Sequence, residues 1–159
     1  MESSASGGSE RTLAAGVAAG LERLIGLFRS LSPPDGLSLT AAATLATLER
    51  SGPRRLTALA VQEGVTQPAM TQLIARLQDS GLVRREADPA DGRVVQVRLT
   101  DQGREMLARR RAVRAGRLAG ILARISPADQ AALGAALPAI AALASARRDD
   151  DLLAHGRFT

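Results

Sequence analysis

The segment TALAVQEGVTQPAMTQLIARLQDSGLVRREADPADGRVVQVRL, residues 57–99, decides the predicted fold of this chain. Its first half predicts a short helix capped by Thr57, a stop at Gly64, and a second helix capped by Thr66. Pro68 falls in the first turn of the second helix, where its missing N–H does no harm. Two helices joined by so tight a turn indicate a helix-turn-helix.

The second half of the same segment predicts a β-hairpin. Residues 82–86 and 94–99 alternate between apolar and polar side chains, with Val95, Val97 and Leu99 on one face. A helix-turn-helix followed directly by a hairpin is a winged helix, so the predicted fold class is mainly α (α+β). Residues 54–56, which precede the segment, are long enough only for an edge strand.

The helix that follows Thr66 has an apolar face and a small polar face. Met70, Leu73, Ile74 and Leu77 share the apolar face and are predicted to be core. Gln can pair with adenine in the major groove, and Thr can contact a thymine methyl group. An ordinary amphipathic surface helix is the alternative, although such helices usually carry more Glu–Arg pairs. The candidate DNA-binding residues of this helix are Thr66, Gln67, Pro68, Thr71, Gln72 and Arg76.

The hairpin carries the remaining candidate DNA contacts. Asp91 can hold Arg93 in position through a charge-assisted hydrogen bond, and an arginine at this tip can enter the negative minor groove. Arg84 and Arg85 lie on the entering strand, near the expected DNA backbone, and Arg84 completes the candidate set. By itself the Asp-Gly-Arg loop would be read as a plain turn with a surface ion pair. Its place directly after a helix-turn-helix favours the wing.

The composition argues against several classes of function. The chain has no cysteine and one histidine, so thiol chemistry is excluded and a zinc site is improbable. With no Gly-rich phosphate loop and no carboxylate pair at a shared site, we expect no metal, no cofactor and no enzymatic activity. All 21 basic residues are arginine against 16 acidic ones, for a formal charge of +5. Arginine suits phosphate and base recognition, although a genome rich in G and C explains the lack of lysine more simply.

The last predicted helix, about 127–146, consists of Ala and Leu on nearly every side. A helix that is apolar all round must be buried. In a chain of 159 residues the obvious place to bury it is against a second copy, so we expect a homodimer. The longest uncharged run, residues 130–146, is expected to fall short of a membrane span.

One domain is expected from about residue 10 to 146. Residues 1–9 are rich in Ser and Gly and are expected to be disordered, and residues 147–159 are expected to form a flexible tail. Dimerisation helices would cover about 10–31 and 100–146, and the winged helix-turn-helix about 38–99. Because no signal peptide is visible, we expect a cytoplasmic protein without a membrane partner.

Residues 57–107 resemble the MarR family of bacterial transcription regulators through the pattern LA…GV…MT…L…L…GLV.R…DP.D.R…V.LT..G. The resemblance implies a triangular homodimer whose recognition helices read the major groove and whose wings enter the minor groove. It places Gln67, Thr71, Gln72 and Arg76 on the recognition helix and Asp91 and Arg93 on the wing. Many relatives have arginine where this chain has Gly92, so its wing has one charge fewer.

The resemblance also implies a small amphipathic or aromatic ligand, bound between the dimerisation helices and the DNA-binding lobe, that releases DNA. Phe28 is the aromatic side chain available to line that cleft, although a core position is the simpler interpretation of it. The predicted function is therefore a dimeric, sequence-specific repressor that binds an inverted repeat in double-stranded DNA. The alternative is a winged-helix protein-interaction module without sequence-specific DNA readout.

Overall fold

The computed structural model describes the backbone of residues 3–87 and 94–155, and the side chains of residues 8–87 and 94–146. Within these ranges the chain forms helices and a small sheet in the predicted order. The elements are α1 (Ser3–Leu31), α2 (Leu39–Ser51), β1 (Arg54–Arg55), α3 (Leu56–Gln62), α4 (Gln67–Asp79), β2 (Val83–Ala87), β3 (Val95–Leu99), α5 (Asp101–Leu122) and α6 (Pro127–His155).

The central lobe comprises α2, α3, α4 and the sheet, whose strand order is β1-β3-β2 with antiparallel pairing throughout. As predicted, β1 is a short edge strand, and β2 and β3 form the hairpin. The core is aliphatic, because the chain has almost no aromatic residues. It contains Leu45, Leu48, Leu59, Met70, Leu73, Ile74, Leu77, Leu82, Val83, Val97, Leu99 and Leu107.

Two of the predicted helix caps lie two residues before their expected positions. Ser38, not Thr40, caps α2, because its side chain accepts a hydrogen bond from the backbone N–H of Ala41 at 3.1 Å. The first residue of α3 is Leu56, and its cap residue Arg55 makes no side-chain capping bond, so Thr57 lies inside the helix. The early start follows from β1, which leads directly into α3.

The start of α5 packs tightly against the hairpin. Thr100 caps α5 as predicted, with its hydroxyl oxygen accepting from the N–H of Gly103 at 3.0 Å. A Cβ at Gly103 would lie 2.3 Å from the carbonyl oxygen of Leu82, so no larger residue fits there without a shift of the backbone. The wing sheet and the long helix are therefore joined at a close contact.

The helices α1 and α6 expose their apolar side chains in the single chain. Leu13, Leu24, Leu137 and Leu143 are all more than half exposed, from 51% for Leu24 to 68% for Leu13. These positions have the spacing of a packing surface, and the single chain leaves that surface largely exposed.

Both terminal helices are longer than the composition predicts. The first begins at Ser3, within the segment expected to be disordered, and α6 continues to His155 rather than ending near residue 146. The uncharged run of residues 130–146 is as short as expected, but the first turn of α6 extends the apolar segment to Pro127–Ala146. By length and composition alone, the 20 residues Pro127–Ala146 would suffice to cross a membrane, with none of that window buried inside the chain. Length and apolar character do not separate such a helix from one that packs against another subunit.

Candidate nucleic-acid interface

The N-terminal end of α4 is shaped by Thr66 and Pro68. Thr66 caps the helix, with its side-chain oxygen accepting from the N–H of Ala69 at 3.4 Å. Pro68 lies in the first turn, where it has no N–H to leave unpaired. The turn before the cap depends on Gly64, whose φ of 64° lies in the left-handed region. Together these residues fix the angle at which α4 leaves α3.

The predicted division of α4 into two faces is present. Met70, Leu73, Ile74 and Leu77 are buried. All six residues of the candidate set on this helix are exposed, namely Thr66, Gln67, Pro68, Thr71, Gln72 and Arg76. The hydroxyl of Thr71 donates to the carbonyl oxygen of Gln67 at 2.9 Å, which directs its methyl group away from that carbonyl. The exposed face therefore offers amide groups, small side chains and one guanidinium.

A groove of about 550 Å³ separates the exposed side of α4 from the wing sheet. Gln67 and Thr71 line it from the helix, and Arg85, Ala87 and Val95 line it from the hairpin. Two predicted DNA-binding residues of α4, Gln67 and Thr71, thus lie across one groove from the wing. Leu56, Glu86 and Val97 complete its lining.

The two arginines of β2 lie on opposite faces of the sheet. The Cα of Arg84 is paired with Arg98, and that of Arg85 with the buried Val97, so Arg85 shares the face turned toward α4. On the other face Glu86 accepts hydrogen bonds from Arg98 and, at 3.3 Å, from Arg84. The hydrogen bond from Arg98 lowers the pKa of Glu86, and this carboxylate offsets part of the positive charge of Arg84.

The tip of the wing lies outside the described residues, which stop at Ala87 and resume at Val94. The predicted contacts of Asp91 and Arg93 therefore stay predictions.

Residues 37–95 match the model of the MarR family. The HTH-type transcriptional regulator Mb0904 of Mycobacterium bovis is 34% identical over 135 residues, which cover 85% of this chain and 94% of that protein. This chain belongs to the MarR family of transcription regulators.

Two further similarities agree with the MarR family. The HTH-type transcriptional repressor Mb2911 of the same organism is 34% identical over 97 residues, covering 61% of this chain and 70% of that protein. A transcriptional regulator protein from Pseudomonas aeruginosa has a TM-score of 0.74 and 25% identity, covering 87% of this chain and 96% of that one. The predicted fold class and regulatory function are thus confirmed, and the relatives are regulators rather than enzymes.

A second cavity of this MarR-family chain, about 480 Å³, lies between α1, α2 and α5. Phe28 lines it and is 42% exposed in the single chain, so it is not part of the core within one chain. The reason is that α1 packs mainly on α5 within the chain and leaves this side of Phe28 open. The guanidinium of Arg114 lies 4.3 Å from the centre of the Phe28 ring. Burial and the nearby charge of Arg110 lower the pKa of Arg114.

The sequence places both Arg84 and Arg85 near the DNA backbone, and only Arg84 was included among the candidate DNA-binding residues. That the two side chains lie on opposite faces of the sheet was not predicted. The signal that distinguishes them was present. Val83 alternates with Arg84, so Arg85 is in phase with the residue that must be buried. What the sequence could not supply is the ion pair that engages Arg84, because Glu86 and Arg98 meet only across the hairpin.

Proposed function

We propose that the protein is a dimeric repressor that binds an inverted-repeat operator in double-stranded DNA, in the bacterial cytoplasm. The observation that carries this proposal is the exposed face of α4. Its first two turns display Gln67, Thr71 and Gln72 without a single charged side chain. Such a face can enter the major groove and exchange water for base edges with little desolvation of charge.

Each candidate residue has a distinct role in this proposal. Gln67 and Gln72 read base edges, because an amide can donate to and accept from adenine at once. Thr71 can contact a thymine methyl group in the major groove, and Pro68 packs against the groove without a hydrogen bond. Thr66 caps the helix and so fixes where it begins. Arg76, Arg84 and Arg93 contribute positive charge toward the DNA, and Asp91 orients Arg93.

The dimer is supported by the apolar faces of α1 and α6. MarR-family regulators act as dimers, and a two-fold dimer presents two equal recognition helices. We propose that their half-sites are centred about one helical turn apart, roughly 10 base pairs. Burial of the exposed leucines of both helices would stabilise the dimer by about 25 cal/mol per Å² of apolar surface removed from water.

Binding to selected DNA tests this function. A pool of random duplexes would be enriched on the purified protein, and the affinity for the enriched site measured across several salt concentrations. We expect an inverted repeat and an affinity that falls steeply with salt, because bound phosphates release counterions. Enrichment of no sequence, with no salt dependence, would instead support a protein-interaction module.

The cavity that contains Phe28 is the proposed effector site. It combines apolar side chains with two arginines, Arg111 and Arg114, and so suits a small amphipathic acid. Arg111 donates to both oxygens of Glu49, which leaves Arg114 as the better anion partner. Benzoate serves as the probe: it should weaken operator binding by the natural protein and have less effect on Phe28→Ala. Equal effects on both proteins would place benzoate elsewhere.

A further inference from the structure

The groove between α4 and the wing has two walls of different character. Gln67 and Thr71 form the helix wall, and the sheet wall carries Arg85 beside the apolar Ala87 and Val95. Arg85 is exposed, and its side chain makes no hydrogen bond or ion pair with any described residue. Among the described residues this guanidinium has no partner, and it faces the polar edge of the recognition helix across open space.

The neighbouring acid does not cancel this charge. Glu86 also contributes to the lining, but its carboxylate accepts hydrogen bonds from Arg98 and Arg84 on the other face of the sheet. The negative charge of Glu86 is thus balanced by Arg84 and Arg98, and it does not neutralise Arg85. Among the residues that line the groove, Arg85 therefore carries a positive charge that no ion pair with a described residue offsets.

In a complex with DNA, a sugar–phosphate strand would pass between the helix wall and the sheet wall of this groove. A helix in the major groove and a wing in the adjacent minor groove straddle the sugar–phosphate strand that separates the two grooves of DNA. We propose that this groove binds one backbone phosphate in each subunit, held by the guanidinium of Arg85. The inference rests on the proposed DNA-binding function.

The side-chain chemistry of the lining residues decides which of them can bind the phosphate. Arg85 offers several N–H donors in a planar fork, which matches the geometry of phosphate oxygens. The side-chain amide of Gln67 makes no hydrogen bond to a described residue, so it stays available for the base edge proposed above. Thr71 already uses its hydroxyl proton on the carbonyl oxygen of Gln67, so it is not a donor to the phosphate. Arg85 therefore carries the charge-assisted contact.

Replacing single DNA phosphates with neutral analogues tests this phosphate-binding site directly. Operator duplexes with a single methylphosphonate at each backbone position would be bound by the natural protein and by Arg85→Ala. For the natural protein we expect a loss of roughly tenfold at the phosphate between the major-groove and minor-groove contacts of each half-site, the size of one lost charge-assisted hydrogen bond. In Arg85→Ala the same substitution should have almost no effect.

Two further variants make the result specific. Arg109→Ala removes an exposed arginine from the middle of α5 and should keep the full sensitivity at that phosphate. Arg84→Ala should also keep it, even if overall affinity falls, because its side chain lies on the other face of the sheet. Thermal melting of each variant would establish that it is folded.

The outcomes separate this inference from the function on which it rests. If the natural protein binds no DNA, the proposed function fails. If it binds but Arg85→Ala retains the sensitivity at that position, Arg85 does not hold that phosphate and the inference is overturned. Loss of the sensitivity in Arg84→Ala alone would overturn it as well, since Arg84 would then be the residue in contact.

Discussion

The side chain of Arg110, only 2% exposed, donates a hydrogen bond to the carboxylate of Asp35. Arg110 belongs to α5, and Asp35 lies in the connection between α1 and α2. The carboxylate also accepts from the N–H of Leu37 at 3.2 Å, and Arg117 donates to the carbonyl oxygens of Leu31 and Ser32 at 3.2 and 3.0 Å. These contacts join α5 to the end of α1 and to the connection that leads from α1 into α2.

Removing the carboxylate of Asp35 should destabilise the protein substantially. In Asp35→Asn the guanidinium of Arg110 stays buried without a counter-charge, and its Nε and Nη2 already lack partners among the described residues. Loss of one partner of a buried ion pair costs about 3 kcal/mol in the free energy of unfolding. Urea denaturation at one fixed protein concentration measures it, because a dimer's stability depends on concentration.

Two comparisons control that measurement. The double variant Asp35→Asn with Arg110→Met should recover much of the loss, since it removes the orphaned charge. Arg104→Ala, which breaks the exposed pair with Asp101, should cost at most about 1 kcal/mol. Equal losses in Asp35→Asn and Arg104→Ala would mean that the Arg110 pair is no stronger than a surface pair.

The same ion pair predicts a pH dependence of stability. Partial burial raises the pKa of Asp35, but the hydrogen bond and charge of Arg110 and the Leu37 N–H together outweigh it, so the pKa lies below 3.8. A lowered pKa in the folded state stabilises the protein above the unfolded value, and this contribution is lost as the pH falls through the folded value. The gap in unfolding free energy between the natural protein and Asp35→Asn should therefore be constant from pH 7 to about 5 and narrow below the reference value of 3.8. A gap unchanged at pH 3 would contradict the assignment.

The apolar face of α6 predicts an obligate dimer. The natural protein should sediment at about twice its chain mass of 16.5 kDa at low micromolar concentration. Leu137→Glu places a charge on the leucine of α6 that is most exposed among those whose side chains are described, and should shift the protein toward monomer or toward unfolding. Val61→Glu, on α3 and half exposed in the same chain, should leave the dimer mass unchanged. A folded natural monomer would remove the basis of the inverted-repeat proposal.

Most of the lobe could be predicted from the sequence because its signals are local. The cap of α4, its four buried residues and the in-phase valines of the hairpin each follow from a spacing of a few residues. The Arg110–Asp35 pair could not be predicted, because its partners lie 75 residues apart along the chain. The same holds for Arg114 and Phe28, whose contact depends on how α1 crosses α5.

The lengths of the terminal helices were mispredicted for a related reason. Ser and Gly are poor helix formers, and that propensity argued for disorder in residues 1–9. The helix nevertheless continues to Ser3, where the chain has no proline to stop it. For predicting where a helix ends, a Ser- and Gly-rich composition is therefore a weaker signal than the presence or absence of a proline.

Gln72 is predicted to contribute to base choice. It is exposed on α4, on the face opposite the buried Leu73 and Ile74. Gln72→Ala should weaken binding to the preferred operator by about 1–3 kcal/mol and relax discrimination at one or two base pairs per half-site. Affinities for the preferred site, a set of single-base variants and random DNA would be compared. A uniform loss on all of them would indicate a backbone contact instead of a base contact.

Arg93 should matter for affinity rather than for base choice, although it lies outside the described residues. An arginine in the minor groove meets a degenerate pattern of acceptors and gains mainly from groove width and negative potential. Arg93→Ala should weaken all sites together and reduce the salt dependence by about one unit of slope per subunit. Asp91→Ala should reproduce part of this effect, because Asp91 only orients the arginine. If Arg93→Ala keeps the affinity and the salt slope of the natural protein, the hairpin loop is a structural turn. DNA would then be held by α4 and by the backbone contact of Arg85, without a wing tip in the minor groove.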